Sequence, residues 1–222
     1  MSAAVDAIDA MRNAGITNGI WPAWEQKAHT PSPAARRRWA LWFAHRLWRG
    51  IDGYVCVARG SGGHFGPTGS YEFERFAHEF HRWPNDFECA VGGIINASET
   101  RDIYISPMLR ASRSRLKGSG AASRYLWADC DGPWTTEREQ RWVQMWSPGS
   151  FQVASGTGRH AYLDLEQITP PDEVVERNRR LAAHLDADAK WDDAVVLRLP
   201  GTYNHKGRAR GGTSDLVRVV MQ

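Results

Sequence analysis

The stretch Tyr125-Leu-Trp-Ala-Asp-Cys-Asp-Gly132 is an apolar run that ends in two acids one residue apart. On a strand, residues two apart point to the same face, so Asp129 and Asp131 converge while Cys130 points away. Two carboxylates that close repel unless a cation lies between them, and their hard oxygens suit Mg²⁺ or Mn²⁺. Ser155-Gly-Thr-Gly-Arg-His160 follows, a glycine-rich loop whose backbone N–H groups could approach a phosphate closely. Further on, Val195-Val-Leu-Arg-Leu-Pro-Gly-Thr-Tyr-Asn-His-Lys206 sets Arg198 on a strand, turns at Pro-Gly, and places Asn204 and Lys206 beyond the turn. Arg198 and Lys206 are eight positions apart (206 − 198 = 8), enough for both to grip one triphosphate. Each segment also has an ordinary reading: a strand-end turn, a hairpin turn with a core histidine, and a strand followed by a basic turn.

The composition fits a globular chain that handles a polyanion. Of 222 residues, 42% are hydrophobic and 24% charged, ordinary values for a folded domain with one substantial core. No apolar run approaches the roughly 20 residues of a membrane helix, and the N-terminus lacks the basic-then-apolar pattern of a secretory signal. Cys56, Cys89 and Cys130 are odd in number and far apart, which argues against a disulfide framework and for a reducing cytosol. The net charge is only +3, but lysines stand only at 27, 117, 190 and 206, so 24 of the 28 basic residues are arginine (28 − 4 = 24). Arginine forks onto phosphate oxygens and stacks on bases. Ile103 to Ala128 contains no acid and carries Arg110, Arg113, Arg115, Lys117 and Arg124; Val195 to Ser214 is acid-free as well. Two such stretches flanking an acidic site favour a polyanionic partner.

The elements that must position these residues follow from periodicity. A short helix is expected over Val5–Asn13, then a loop, then a strong helix from Ala34 to Arg49 opened by Pro31-Ser-Pro, with Arg36-Arg37-Arg38 as a solvated face. Tyr54–Ala58 reads as a strand, Ser61-Gly-Gly and Gly66-Pro-Thr-Gly as loop, and Tyr71–Trp83 as a helix with Phe73, Phe76 and Phe80 on one stripe. His78 and His81 on that helix, as His-Glu-Phe-His, do not have the HExxH zinc spacing. Short β runs are expected at Ala90–Asn96, Asp102–Ile105, Tyr125–Cys130, Phe151–Ala154, Ala161–Leu165, Ala194–Leu199 and Leu216–Met221. Two helices interrupt them, one from a Thr136–Glu139 capping box to Trp146 and one from Thr169-Pro-Pro to Leu185. The fold class is α+β, with helices packed on a mixed or antiparallel sheet. Residues 1–90 are expected to form a mainly helical N-terminal region packed on a core at 91–222, or the two to form one continuous domain.

Taken in order and spacing, acid-x-acid at a strand end, Ser-x-Gly-x-x-His, and Arg-x-Pro-Gly-Thr-x-Asn-x-Lys resemble the archaeo-eukaryotic primase superfamily. The resemblance is to the primase-polymerase domains of phage and plasmid replication proteins, and covers about Ile103 to Lys206. It implies an RRM-like palm that starts and extends strands from dNTPs or NTPs on a single-stranded DNA template. Asp129 and Asp131 would be metal ligands for two Mg²⁺ or Mn²⁺ ions; His160, with Ser155 beside it, would contact the incoming phosphates. Arg198 and Lys206, with Asn204 between them, would bind the triphosphate or template. A third acid is required: Asp188 is chosen on its Leu-x-Ala-Asp context, Asp186 is the alternative, and Asp192 and Asp193 are further candidates. Arg110, Arg113, Arg115 and Lys117 would hold template phosphates. The zinc-binding stem of many cellular primases has no counterpart.

Two other classes remain open: a catalytically inactive RRM-like module that binds single strands, and a metal-dependent nuclease using the same acids. No GxxxxGK[ST] P-loop occurs in the sequence, so a helicase-type ATPase, C-terminal in a longer replication protein of a bacterial host's cytoplasm, is expected to expose the template. Replacing Asp129 or Asp131 is expected to relieve like-charge repulsion and raise stability slightly in metal-free buffer.

Overall fold

The computed structural model describes residues 31–220; the helix expected over Val5–Asn13 and the loop after it lie outside them. Among the described residues no helix is long and apolar enough to cross a membrane. The described residues begin with α1 (Pro33–Trp48), where the Ser32 side chain caps the first turn by accepting from the Ala35 N–H at 3.2 Å. It buries Phe43, Ala44, Leu47 and Trp48. β1 (Tyr54–Phe65) and β2 (Tyr71–Arg82) form a long hairpin, followed by α2 (Asn85–Ala97), β3 (Asp102–Ile105) and β4 (Ser123–Cys130). Then come α3 (Thr136–Met145), β5 (Phe151–Ala154), β6 (Arg159–Thr169), α4 (Pro171–Leu185), β7 (Leu197–Arg198), β8 (Tyr203–Asn204), a 3₁₀ turn at Arg208–Arg210, β9 (Asp215–Leu216) and β10 (Arg218–Val220).

The architecture is α+β, as expected. Two four-stranded sheets run β2-β1-β3-β7 and β10-β5-β6-β4, and a small third sheet joins β8 to β9. Every strand pairing among the described residues is antiparallel. One hydrophobic cluster draws on α1, both large sheets, α2 and α4, including Phe43, Val57, Ile94, Ile105, Trp127, Tyr162 and Leu181. The hairpin from the first 90 residues thus shares a sheet with β3 and β7 of the remainder.

Several elements differ from expectation, each for a physical reason. Tyr71–Trp83 is strand β2, not a helix: the phenylalanine spacing imitates a helical stripe, but the Gly66–Gly69 turn folds the segment back on β1. Ser61-Gly-Gly is correspondingly part of β1, its bare backbone covered by β2 side chains; a Cβ on Gly60 would meet the Phe73 ring at 2.5 Å. The run Ala90–Asn96 is helical, within α2. Phe87, Val91, Ile94 and Ile95 recur at helical spacing and are buried, and Asp86 and Glu88 favour its N-terminus. The last expected strands shrink to Leu197–Arg198 and break into β9 and β10. The cap of α3 is Thr135, which accepts from the Arg138 N–H, while Glu139 takes the Trp134 indole N–H. Arg36 is not solvated: it is buried, donates to Ser98 Oγ, pairs with Glu99, and lies over the Tyr203 ring at 4.7 Å.

Strand β4, which carries the first acid motif, is an edge strand steadied by α4. Val174, Leu181 and Leu185 bury one face of α4, and between them buried Asn178 accepts from the Trp127 N–H at 2.9 Å. Its amide nitrogen donates to the Trp191 carbonyl at 3.2 Å, so one side chain ties β4 to the segment after α4. Asn178→Ala should therefore destabilise the fold by about 2 kcal/mol, the cost of stranding a buried backbone N–H. Urea unfolding monitored by tryptophan fluorescence would read this as a lowered midpoint with an unchanged slope.

Candidate functional site

At the end of β4, buried Asp129 lies directly opposite His160 on β6, with the His160 Nε2 3.5 Å from the Asp129 Oδ1. α4 ends in a left-handed residue, Asp186 (φ 51°), and the Ala187 N–H returns to the Ala182 carbonyl at 2.8 Å. That turn sends the chain back along β4, where the Asp188 N–H donates to the Asp129 carbonyl at 2.8 Å. The result is a cluster of Asp129, Asp131 and Asp188 whose carboxylate oxygens lie within 4.8 Å of one another. Three hard oxygens converging so closely suit a divalent cation such as Mg²⁺ or Mn²⁺.

The electrostatics of the three acids differ. Burial alone would push the Asp129 carboxyl up, but His160, Lys190 and Arg198 together hold it below its ordinary value. Lys190 is the cation that does most by contact: its ammonium donates to Asp129 Oδ2 and stands 3.6 Å from Asp188 Oδ2. Burial would lower the Lys190 ammonium, and the surrounding carboxylates raise it above its usual value. Asp188 is raised by burial and by the negative charge of Asp131. His160 is lowered by burial against the pull of Asp129, so its ring is neutral near pH 7.

Asp129, Asp131, His160 and Lys190 line one side of a cleft of about 470 Å³ between the two large sheets, with Asp188 beside the two acids. The facing wall carries Tyr71, Tyr104 and Arg198, with Lys206 at the rim. Arg198 is buried; its Nη1 donates to Asp102 Oδ1 and its guanidinium lies 4.6 Å from the Tyr104 ring centroid. Asp102 also accepts from the Tyr71 hydroxyl at 3.0 Å and the His205 N–H at 3.1 Å. The glycine loop and the last motif are stitched together, since Asn204 Nδ2 donates to the Ser155 carbonyl and Asn204 Oδ1 accepts the Lys206 N–H. Ser155 Oγ turns back to the Gly158 carbonyl at 3.3 Å. Gly158 passes so close to β4 that a Cβ there would meet the Cys130 carbonyl oxygen at 2.6 Å.

The structure thus brings together Asp129, Asp131, Asp188, His160, Ser155, Arg198, Asn204 and Lys206 around one cleft. The other acids have structural partners. Asp186 caps α4 and its carbonyl accepts from Arg138; Asp192 pairs with Lys117 at 2.7 Å; Asp193 accepts from the Gly118 and Gly120 N–H groups and pairs with Arg110. Arg110, expected against a nucleic acid, is instead 1% exposed and bonds the carbonyls of Ser114, Leu116 and Asp193, holding the basic loop in shape. Arg113, Arg115 and Lys117 are exposed on that loop. Sequence reasoning missed Lys190, Asp102, Tyr71 and Tyr104. Lys190 alone had a signal, being one of four lysines and two residues from Asp188.

No protein-family model matches the chain, and no curated protein matches it. Solved structures do. Primase RepB′ aligns at a TM-score of 0.58 and 14% identity over 84% of this chain and 56% of that one. The catalytic domain of primase RepB′ in complex with initiator DNA aligns at 0.53 and 14% identity, covering 82% and 84%. The AEP domain of the cyanophage S-2L primase-polymerase aligns at 0.50 and 14% identity, covering 75% and 80%. The chain therefore has the fold of primase-polymerase catalytic domains, and spans 56% of the length of the first of these structures.

The charge pattern predicts opposite effects for two substitutions, where like-charge repulsion alone would predict one sign. Because Asp129 is held low, its stabilisation is present above its unfolded-state pKa and lost as pH falls through the folded value. Because Asp188 is held high, its ionised form costs stability at neutral pH, a cost relieved as pH falls. In metal-free buffer at pH 7, Asp129→Asn should lower the thermal midpoint and leave Lys190 under-compensated, whereas Asp188→Asn should raise it slightly. Differential scanning fluorimetry in EDTA distinguishes the two; equal shifts of the same sign would contradict the assignment of Lys190 to Asp129.

Proposed function

We propose that this chain is a DNA-templated nucleotidyltransferase that synthesises primers and extends strands from nucleoside triphosphates. The observation that carries the reading is the convergence of Asp129, Asp131 and Asp188, the first two on the wall of a cleft that Arg198 and Lys206 also line. An inactive binding fold has no need to keep the three acids, His160 and the Arg198–Lys206 pair together. Asp129, Asp131 and Asp188 would hold two Mg²⁺ or Mn²⁺ ions, which when bound lower the pKa of an attacking 3′-hydroxyl and offset charge on the triphosphate. Lys190 holds the Asp129 carboxylate in place, and the His160 ring, opposite Asp129 on the cleft wall, would contact the incoming phosphates. Arg198, fixed between Asp102 and the Tyr104 ring, and Lys206 bind the triphosphate, whose concentrated charge needs several donors at once. The 3′-oxygen of the primer, or of the first nucleotide, forms a bond to the α-phosphorus while the bond to pyrophosphate breaks. Alignment and charge stabilisation account for most of such a rate.

Single-stranded DNA is the proposed template, with phosphate contacts from the exposed Arg113, Arg115 and Lys117 supplying affinity without sequence choice. A separate helicase-type ATPase is the proposed source of that strand, tethered or recruited. The likeness to a RepB′ catalytic domain solved with initiator DNA supports the DNA partner.

Rates of labelled-nucleotide incorporation on a primed single strand test the residue roles. Asp131→Ala should abolish incorporation, and Asp188→Asn should cost at least about 100-fold. Asp186→Asn and Asp192→Asn should cost far less. A crippled Asp186→Asn beside an active Asp188→Asn would move the third carboxylate by two residues. His160→Ala, Arg198→Ala and Lys206→Ala should raise the KM for nucleotide more than they weaken binding to DNA.

A further inference from the structure

The sheet β2-β1-β3-β7 has two faces of different character. Val57, Ile105 and Leu197 are in mutual register on one and are buried in the core. The other carries a cross-strand row formed by His78, Ala58, Tyr104 and Arg198, each directly opposite the next. Beside it runs a second row, Phe76, Gly60 and Asp102. The small residues of β1 let rings from the outer strand reach across it: Phe76 lies 5.7 Å from Tyr104 and 5.1 Å from His78 by ring centroids. Phe73 stacks on Phe76 at 5.3 Å with an interplanar angle of 17°. At one end the rings meet Arg198 and the catalytic cleft; at the other, Phe76 is 37% exposed on the sheet edge.

Arginines accompany this track. Arg198 covers Tyr104 at the cleft, Arg115 stands within electrostatic reach of His78, and Arg82 and Arg113 both lie over Tyr54 on the same strand pair. The acid on this face, Asp102, is already satisfied by Arg198, Tyr71 and His205, while Glu72 and Glu74 lie toward the hairpin turn, against Gly66 and Gly62. A ring track flanked by guanidinium groups has the chemistry of a single-strand platform: bases stack on aromatic faces and phosphates pair with the cations. We propose that the Tyr104–Phe76 face carries unpaired template bases out of the cleft, with Phe76 as the outermost stacking residue. This rests on the nucleotidyltransferase reading for the identity of the strand, but the binding it asserts is independent of catalysis.

The test is equilibrium binding by fluorescence anisotropy in EDTA without nucleotide, using a labelled oligothymidine of about 16 nucleotides and an abasic strand of equal length and charge. Phe76→Leu keeps apolar bulk for the hairpin and removes the π face, and Phe76→Trp enlarges it. Phe76→Leu should weaken oligothymidine binding about tenfold and abasic binding hardly at all, whereas Phe76→Trp should bind at least as tightly as wild type. Thermal midpoints equal to wild type would exclude loss of fold. Equal affinities of wild type and Phe76→Leu for oligothymidine, with primer extension intact, would overturn the platform and leave the enzymatic reading standing. A wild-type chain that neither binds nor extends would overturn both. Sedimentation showing a wild-type dimer that Phe76→Leu dissociates would assign the face to a second copy of the chain and also overturn the proposal.

Discussion

Three carboxylates held within 4.8 Å of one another are the constraint on which the rest of this structure depends. Left alone they would repel, and the fold answers by converging two cations and an imidazole ring on them from three directions. Lys190 comes from the segment after α4, the His160 ring from the neighbouring strand, and Arg198 from the opposite sheet. Asp129 is buried and held low by these neighbours, whereas Asp131 is exposed and Asp188 half-buried and raised, which leaves the solvent side of the cluster electronegative. A site so arranged is stable enough to fold and still short of positive charge, as a centre that recruits divalent cations must be.

The cleft exists because two antiparallel sheets each contribute one wall, and neither wall is complete from one stretch of sequence. Asp102 and Tyr71 stand far from Arg198 in the chain yet fix its guanidinium, through a carboxylate that accepts from three elements. Asn204 joins the glycine loop to the last motif across 49 residues. Arg110 and Asp193 do the same for the basic loop, whose exposed arginines depend on one buried arginine for their placement. The polar groups that look most like ligands in the sequence therefore divide into those that face the cleft and those that build its frame.

That division explains what could be read beforehand. α1, β3, β4, β5, β6, α3 and α4 were legible from local periodicity, and the acids, glycine loop and Arg–Asn–Lys motif from residue type and spacing. The β1–β2 hairpin was not, because Phe73, Phe76 and Phe80 are spaced like a helical face and only pairing with a glycine-rich partner reveals the strand. α2 was misread because a short apolar run fits either period. Asp188 could be chosen over Asp186, Asp192 and Asp193 only by resemblance; the physical reason, a left-handed cap that turns Asp188 onto β4, appears in three dimensions. Asp102 and the inward turn of Arg110 had no local signal, since both are defined by contacts across more than 80 residues.

The most direct measurement of the central claim is the length and composition of the product. The chain would be incubated with Mn²⁺ or Mg²⁺, a labelled primer on a single strand whose next template base is varied, and one nucleoside triphosphate at a time. Template-directed polymerisation would lengthen the primer by the nucleotide complementary to that base, and not at all when the template is omitted. Shortening of the primer would identify a nuclease, and an unchanged primer that is nonetheless bound would identify a binding module; either result would contradict the account.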